Sequence, residues 1–325
     1  MLRDGTALAA ILDDSGPFVF RSTNGGASWS KPGVRIRGSH DHEMLVADAA
    51  DNVYFVAGGA ARDAGGAPRS AVIVERSTDG GRTFTPRGRG IFSTLTYEAE
   101  TPVLLSDGTL VVSFMDHHDR SRRLLERRRQ WLALSRDSGM TFLPPSLVSE
   151  DCNRLPPAAW PTFARGSAPS AGAPEPLYFL CEAHEASGIL FATSVDRGER
   201  WTATRRIDGG ALERGWTKTP TMTVDGTGAI VVTWQDRRDD PKRLCQRLHA
   251  VASIDGGYTF SPASPVSTSV SCPDTPVNGS GLAARFPSGG EYSGLVALGR
   301  GEFFAVWSDS RTGRYELRGA RIRVM

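Results

Sequence analysis

Several groups of residues in this chain have types and spacings that can do chemistry. His40-Asp41-His42-Glu43 carries metal-ligand side chains, and in an extended segment alternation puts His40 and His42 on one side. No third convergent ligand is identifiable, so a polar loop is the preferred reading and no metal or other cofactor is expected. The run from Arg120 to Arg129 holds six arginines and one glutamate, enough to grip an anionic glycan, although a solvated loop is the plainer reading. Glu291 sets a carboxylate beside the Tyr292 phenol, whose ordinary pKa of about 10 leaves little phenolate at neutral pH unless a base takes its proton. The chain as a whole is nearly neutral, with 38 Lys and Arg against 36 Asp and Glu in 325 residues. It therefore has no overall field to attract nucleic acid or an anionic membrane, and any anion site must be local. Its longest apolar stretches, such as 110–115 and 303–307, are strand-sized and far short of the ~20 residues that span a bilayer.

The elements that must position these residues follow from a repeat. Thirty-six glycines and 20 prolines separate short apolar runs, the pattern of a turn-rich all-β chain. Five segments share Ser-x-Asp-x-Gly-x-Thr-aromatic: 22–29, 77–84, 135–142, 194–201 and 253–260, their serines 55, 58, 59 and 59 residues apart. In each, Asp or Asn bonds its own backbone, Gly allows positive φ, Ser or Thr adds side-chain bonds, and the aromatic anchors the turn. These segments resemble the Asp-box, or BNR repeat, of sialidases and related β-propellers, over essentially the whole chain. The resemblance implies one propeller domain, 1–325, with the boxes as structural clips on the face away from the active site.

Strands fall in phase with the boxes. An apolar strand before each box, as in 107–116, 228–236 and 302–309, follows an inner strand such as 43–48, 101–106, 160–164, 219–224 or 293–298. The count predicts six blades of four antiparallel strands with a gap. The first blade has no innermost strand and the last no box and no outermost strand, so an N-terminal piece is expected to be missing. The four cysteines form no C-x-x-C pair, which argues against structural zinc. Cys152 is expected between blades 3 and 4 and Cys181 after the second strand of blade 4, with Cys245 and Cys272 in the same two places one blade later. Pairing 152 with 181 and 245 with 272 is the favoured of three connectivities, free buried thiols being the alternative. Disulfides imply a secreted or periplasmic protein. No signal peptide is visible in this chain.

The resemblance also assigns roles. Glu291-Tyr-Ser-Gly-Leu295, leading into the last blade, is similar to the Tyr-Ser-x-Leu segment in which sialidases place their nucleophile, which makes Tyr292 the expected nucleophile. A neutral phenol approaches a sugar bearing a carboxylate at its reacting carbon with less repulsion than a carboxylate would. Glu100, in Glu100-Thr-Pro-Val-Leu-Leu-Ser-Asp-Gly-Thr-Leu110, resembles the family's partner glutamate but lies in blade 3. The family would place it in blade 4, where this chain has Ala159, Trp160 and Pro161; Glu291 and Glu213 are the fallbacks. Asp14, or Asp13 beside it, takes the acid/base position in the loop 12–17. Three arginines would hold the substrate carboxylate, because the guanidinium fork bonds it bidentately. The first belongs to the absent strand, and the second has no match in 181–188. Arg243 and Arg247 are available for the third, with Arg285 on the other side of the tyrosine. The expected function is sialidase-like hydrolysis of a carboxylated sugar such as sialic acid. The alternatives are a non-catalytic propeller that binds glycan or protein, and a polysaccharide lyase or another glycosidase on the same scaffold. Glycan is the expected partner.

Overall fold

The computed structural model describes the chain apart from residues 39, 63–64, 88–89, 93–96, 100, 119–122, 153–160, 185–186, 211–216, 243, 273–292 and 325. Two compact units, Met1–Glu150 and Asp151–Met325, account for six antiparallel sheets, the blades of an all-β, six-bladed β-propeller. Unit 1 holds blade 1 (Ala7–Asp13, Gly16–Ser22, Val34–Arg35), blade 2 (His40–Ala47, Val53–Arg62, Pro68–Ser77, Thr85–Pro86, with Ile91–Phe92 on the same sheet) and blade 3. Blade 3 consists of Tyr97–Ala99 and Val103–Leu104, then Leu110–His118, Leu124–Ser135 and Ser146–Cys152, the last running past the unit boundary. Unit 2 holds blade 4 (Thr162–Arg165, Leu177–Glu182, Ile189–Ser194, Arg205–Arg206), blade 5 (Lys218–Val224, Ile230–Asp236, Arg247–Ser253, Ser264–Pro265) and blade 6 (Gly294–Gly299, Glu302–Asp309, Glu316–Arg323). Among the described residues blades 1 and 6 have three strands each, in the positions the sequence predicts.

The second strand of a blade is a continuous apolar run because both of its faces are covered. In blade 5, Ile230, Val232 and Trp234 pack with Tyr178, Leu180 and Phe191 of blade 4, while Val231 packs with Phe303 of blade 6. In unit 1, Leu110, Val112 and Phe114 of blade 3 meet Val56, Val72 and Val74 of blade 2 in the same way.

The five repeated turns share one geometry. In the third, the Ser135 hydroxyl donates to Asp137 Oδ1 at 2.8 Å, the Gly139 N–H donates to Ser135 Oγ at 2.8 Å, and the Thr141 N–H donates to Asp137 Oδ1 at 2.9 Å. The fifth repeats it with Ser253, Asp255, Gly257 and Thr259. Asn24 in the first keeps the acceptor and adds an Nδ2–H to Ser28 Oγ at 2.8 Å. In the fourth, Arg200 replaces Thr, and only its N–H reaches Asp196. The hydroxyl of Thr141, then its N–H, holds the Asp137 carboxyl at about 2. Thr259 does the same for Asp255. The glycine at the fifth position of the turn is required twice, for its conformation and for room. Gly257 has φ +85, and a Cβ there would lie 2.6 Å from Phe191 Cζ in the preceding blade. Gly139, φ +84, would meet Val74 Cγ1 at 2.9 Å. The closing aromatics pack between blades as well: Phe260 meets Phe191 with ring centroids 5.0 Å apart, and Phe84 lies 6.5 Å from Phe55 of its own blade in a cluster that includes Val19 of blade 1.

Cys152 is bonded to Cys181 and Cys245 to Cys272, with Cα separations of 5.8 and 4.1 Å. Each crosslink sits beside a β-bridge, Cys152 with Ala183 and Gln246 with Ser271. Non-reducing peptide mapping should recover these two pairs, and reduction should lower the melting temperature, since closing loops of this size is worth roughly 2–4 kcal/mol each. Recovery of four alkylated thiols from unreduced protein would refute the pairing. Gly257→Ala should cost about 1–3 kcal/mol in chemical denaturation. Gly226→Ala, where a Cβ meets nothing within 4 Å, should stay within about 0.5 kcal/mol of the parent. Equal losses in the two variants would show that the turn glycine is not a seam contact.

Candidate functional site

Antiparallel order sends the hairpins between second and third strands to the end of each blade opposite the repeated turns. At that end the second strands of blades 3, 5 and 6 carry a buried aspartate, the last residue of the strand in blades 5 and 6 and two residues before its end in blade 3: Asp116, Asp236 and Asp309, at 0, 0 and 2% exposure. Each carboxylate is shared between an indole and a guanidinium. Asp236 Oδ2 accepts Trp234 Nε1–H and Arg238 Nε–H, both at 2.7 Å. Asp309 accepts Trp307 Nε1–H at 3.0 Å and Arg311 through Nε and Nη2 at 2.9 and 2.6 Å. In blade 3 the same groups come from the neighbouring strand, Arg129 bidentate at 2.9 and 2.8 Å and Trp131 at 3.0 Å. Burial pushes the Asp309 carboxyl up, but the bonds from Arg311 and Trp307 outweigh it and hold Asp309 below the usual carboxylate range. The pattern Trp-x-Asp-x-Arg, at 234–238 and 307–311, is the sequence signal for these clamps.

In blade 5 the clamp extends into a network. His249, 1% exposed, lies with Nδ1 3.4 Å from Asp236 Oδ1 and 3.1 Å from the Arg247 carbonyl, and with Nε2 3.3 Å from Asp239 Oδ2. Its ring stacks on Trp234. Burial, with Arg238 assisting, moves the His249 pKa below the ordinary histidine value despite the two carboxylates. Arg247, expected to bind a substrate carboxylate, opens the third strand of blade 5. It gives Nη1–H to Asp239 at 2.9 Å and Nε–H to the Ser267 carbonyl at 2.7 Å. Arg238 also donates to the Asp208 carbonyl at 2.9 Å, and the side chain of Asp208 is itself paired with Arg206 at 3.0 Å.

Asp14 is exposed in the first hairpin turn of unit 1, where its neighbour Asp13 accepts the Ser15 N–H and hydroxyl at 2.7 Å each. Arg35 braces that turn through the Ser15 carbonyl at 2.6 Å. Tyr292, Glu291, Glu100, Arg243 and Arg285, with Glu213, lie outside the described residues. Among the described residues no three His, Cys, Asp or Glu side chains gather as a metal site.

The inner strands supply a feature that sequence reasoning missed. In blade 5 the ladder passes from Lys218–Gln235 to Thr221–Thr233, one residue more on the inner strand than on its partner. Blade 2 repeats the bulge between Asp41–Gly58 and Met44–Val56. The bulged residues Thr219 and His42 are left-handed, with φ +49 and +58. A non-glycine residue held there costs of order 1–3 kcal/mol and is concentrated at functional sites. Bulges favour the rims of such folds for the same reason, because they re-aim side chains. Lys218 and Thr219 are buried at 2 and 4% exposure.

No family model matches the chain, and no curated protein matches it. Solved structures do. A Hadza microbial sialidase, Hz136, is similar with TM-score 0.60 and 14% identity; the likeness covers 100% of this chain, which spans 64% of the sialidase's length. An ulvan lyase of polysaccharide lyase family PL25, bound to -[GlcA(1-4)Rha3S]-, is similar with TM-score 0.55 and 11% identity over 99% of this chain and 82% of its own. An α-L-arabinofuranosidase of Fusarium graminearum follows with TM-score 0.54 and 12% identity over 87% of this chain and 93% of its own. At these identities the likeness shows the fold, a six-bladed β-propeller.

The buried imidazole makes stability depend on pH. A group whose folded pKa is depressed stabilises the fold above its unfolded pKa and loses that contribution as pH falls. Stability should therefore decline as pH drops below about 6.5, the unfolded histidine value. His249→Gln should flatten that part of the profile in urea titrations. A variant with the parent's slope between pH 7 and 5 would remove His249 as the cause.

Proposed function

We propose that this protein acts on carbohydrate at the end of the blades opposite the repeated turns, as a sialidase-like glycoside hydrolase for a carboxylated sugar such as sialic acid. The observation that carries the reading is the whole-chain likeness to propellers named as a sialidase, a polysaccharide lyase and an arabinofuranosidase. The two disulfides support a place outside the cytoplasm, secreted or periplasmic.

In this reading 1–325 acts as a single propeller domain. The Tyr292 oxygen attacks the anomeric carbon while Glu100 or Glu291 takes the phenol proton. Asp14 gives its proton to the departing glycosidic oxygen, and the glycosidic bond breaks. Water then hydrolyses the tyrosyl–sugar bond: Asp14 takes a proton from the attacking water, and the departing Tyr292 oxygen takes back its proton from the glutamate. Arg243, Arg247 and Arg285 supply the counter-charge for the substrate carboxylate.

A second reading, a propeller that binds glycan without cleaving it, is favoured by the arginines themselves. Arg206, Arg238, Arg247 and Arg311 each already answer a carboxylate of this chain, which reduces what they offer to a ligand. A screen on fluorogenic glycosides, sialosides first, then arabinofuranosides and uronic-acid polymers, separates the readings. The sialidase reading expects sialoside turnover that falls by orders of magnitude in Tyr292→Phe with folding intact. Unchanged turnover in that variant removes Tyr292 from the mechanism. Glycan-array binding without turnover selects the second reading.

A further inference from the structure

The ion pair between Asp239 and Arg247 in blade 5 is held more firmly than an ordinary surface pair, whose long side chains separate freely. Both side chains are partly exposed, at 31 and 24%. Arg247 is fixed beyond the pair by its Nε–H bond to the Ser267 carbonyl at 2.7 Å. Asp239 Oδ2, which accepts Arg247 Nη1–H at 2.9 Å, also lies 3.3 Å from Nε2 of the buried His249. The hairpin that carries Asp239 is braced by the next residue, since Asp240 accepts the Lys242 N–H at 3.1 Å and the Leu244 and Cys245 N–H groups at 2.7 Å each. Cys245 is in turn bonded to Cys272.

These contacts use one side of each group. Among the described residues, Asp239 Oδ1 and Arg247 Nη2 have no hydrogen-bond partner. The pair therefore presents a fixed acceptor beside a fixed donor, with its two charges cancelled. A carboxylate ligand would gain the guanidinium but meet the repulsion of Asp239, and a cation would meet the reverse. Two hydroxyls on adjacent carbons suit both atoms, because one donates to Oδ1 while its neighbour accepts from Nη2. Holding the two side chains in place before binding removes the ordering cost that weakens flexible polar surfaces.

We propose that Asp239 and Arg247 form a binding site for two adjacent hydroxyls of a sugar. The site rests on the carbohydrate reading of this end of the blades, and it changes the part played by Arg247 from counter-charge for a carboxylate to reader of neutral hydroxyls. In isotope-labelled protein the Arg247 Nε–H resonance, assigned by its loss in Arg247→Lys, reports on the site. Methyl α-L-arabinofuranoside and methyl α-D-galactoside, each at up to about 100 mM so that millimolar affinity is detected, should shift that resonance, and sodium acetate should not. Asp239→Asn keeps the size of the side chain and uncovers the guanidinium charge. It should reverse the order, weakening the response to the glycosides by about tenfold and creating one to acetate. A parent protein that responds to acetate overturns the proposal in favour of a carboxylate site. One that responds to N-methylacetamide and to neither glycoside overturns it in favour of a peptide site, and one that responds to no probe overturns it outright. Equal glycoside responses in the parent and in Asp239→Asn remove Asp239 from the site and overturn it as well. The sialoside screen bears on hydrolysis alone: turnover with no glycoside shift sinks this site and leaves the sialidase reading standing, whereas glycoside shifts without turnover do the opposite.

Discussion

The Asp137 carboxylate gathers the Ser135 hydroxyl and the Thr141 N–H into one short turn, and an equivalent set of bonds closes the turn around Asp255. Propeller blades need such a device. Successive blades pack face to face, yet the link from third to fourth strand must reverse tightly without leaving buried donors unpaired. Satisfying those donors with a side chain of the turn itself makes each reversal independent of its surroundings. Seating the turn glycine against the preceding blade, Gly257 on Phe191 and Gly139 on Val74, then converts a local motif into an inter-blade contact. The aromatic that closes the turn fills the same seam, as Phe260 does against Phe191.

At the other end of the blades the physical problem is charge. Buried aspartates lie at or near the ends of three second strands, and a buried carboxylate is tolerated only when strong donors surround it. Trp and Arg together meet that requirement at Asp116, Asp236 and Asp309, by i±2 neighbours in blades 5 and 6 and by cross-strand neighbours in blade 3. The consequence for function is that arginine count overstates the positive charge presented to a ligand. Arg238 and Arg311 are committed to the fold, and Arg247 is shared with Asp239.

The inner strands combine both themes. Their bulges place His42 and Thr219 in strained backbone, and the Thr219–Pro220 bulge collects hydroxyls from two neighbouring blades. Strain of this kind survives only where the surrounding structure over-determines it. In unit 2 that over-determination comes from inner strands of three consecutive blades.

The repeated turns, the six blades, the three-stranded first and last sheets and both disulfides were legible in the sequence. All of them rest on local patterns: a turn whose bonds lie within eight residues, period-2 or continuous apolar runs, and cysteines paired with their neighbours in sequence, 29 and 27 residues apart. The candidate site was legible only as an inventory of polar residues at one end of the blades. Tertiary structure alone decided which of them are spent on one another, because a guanidinium offered to a ligand and one clamped by a carboxylate look the same in sequence. Arg247 against Asp239, across a hairpin, and Arg129 against Asp116, across a strand pair, are such cases. The bulge at Thr219 was hidden for a related reason: nothing in Lys218-Thr-Pro-Thr221 announces a left-handed residue, and threonine before proline argues against one. Packing against the blades on either side imposes it.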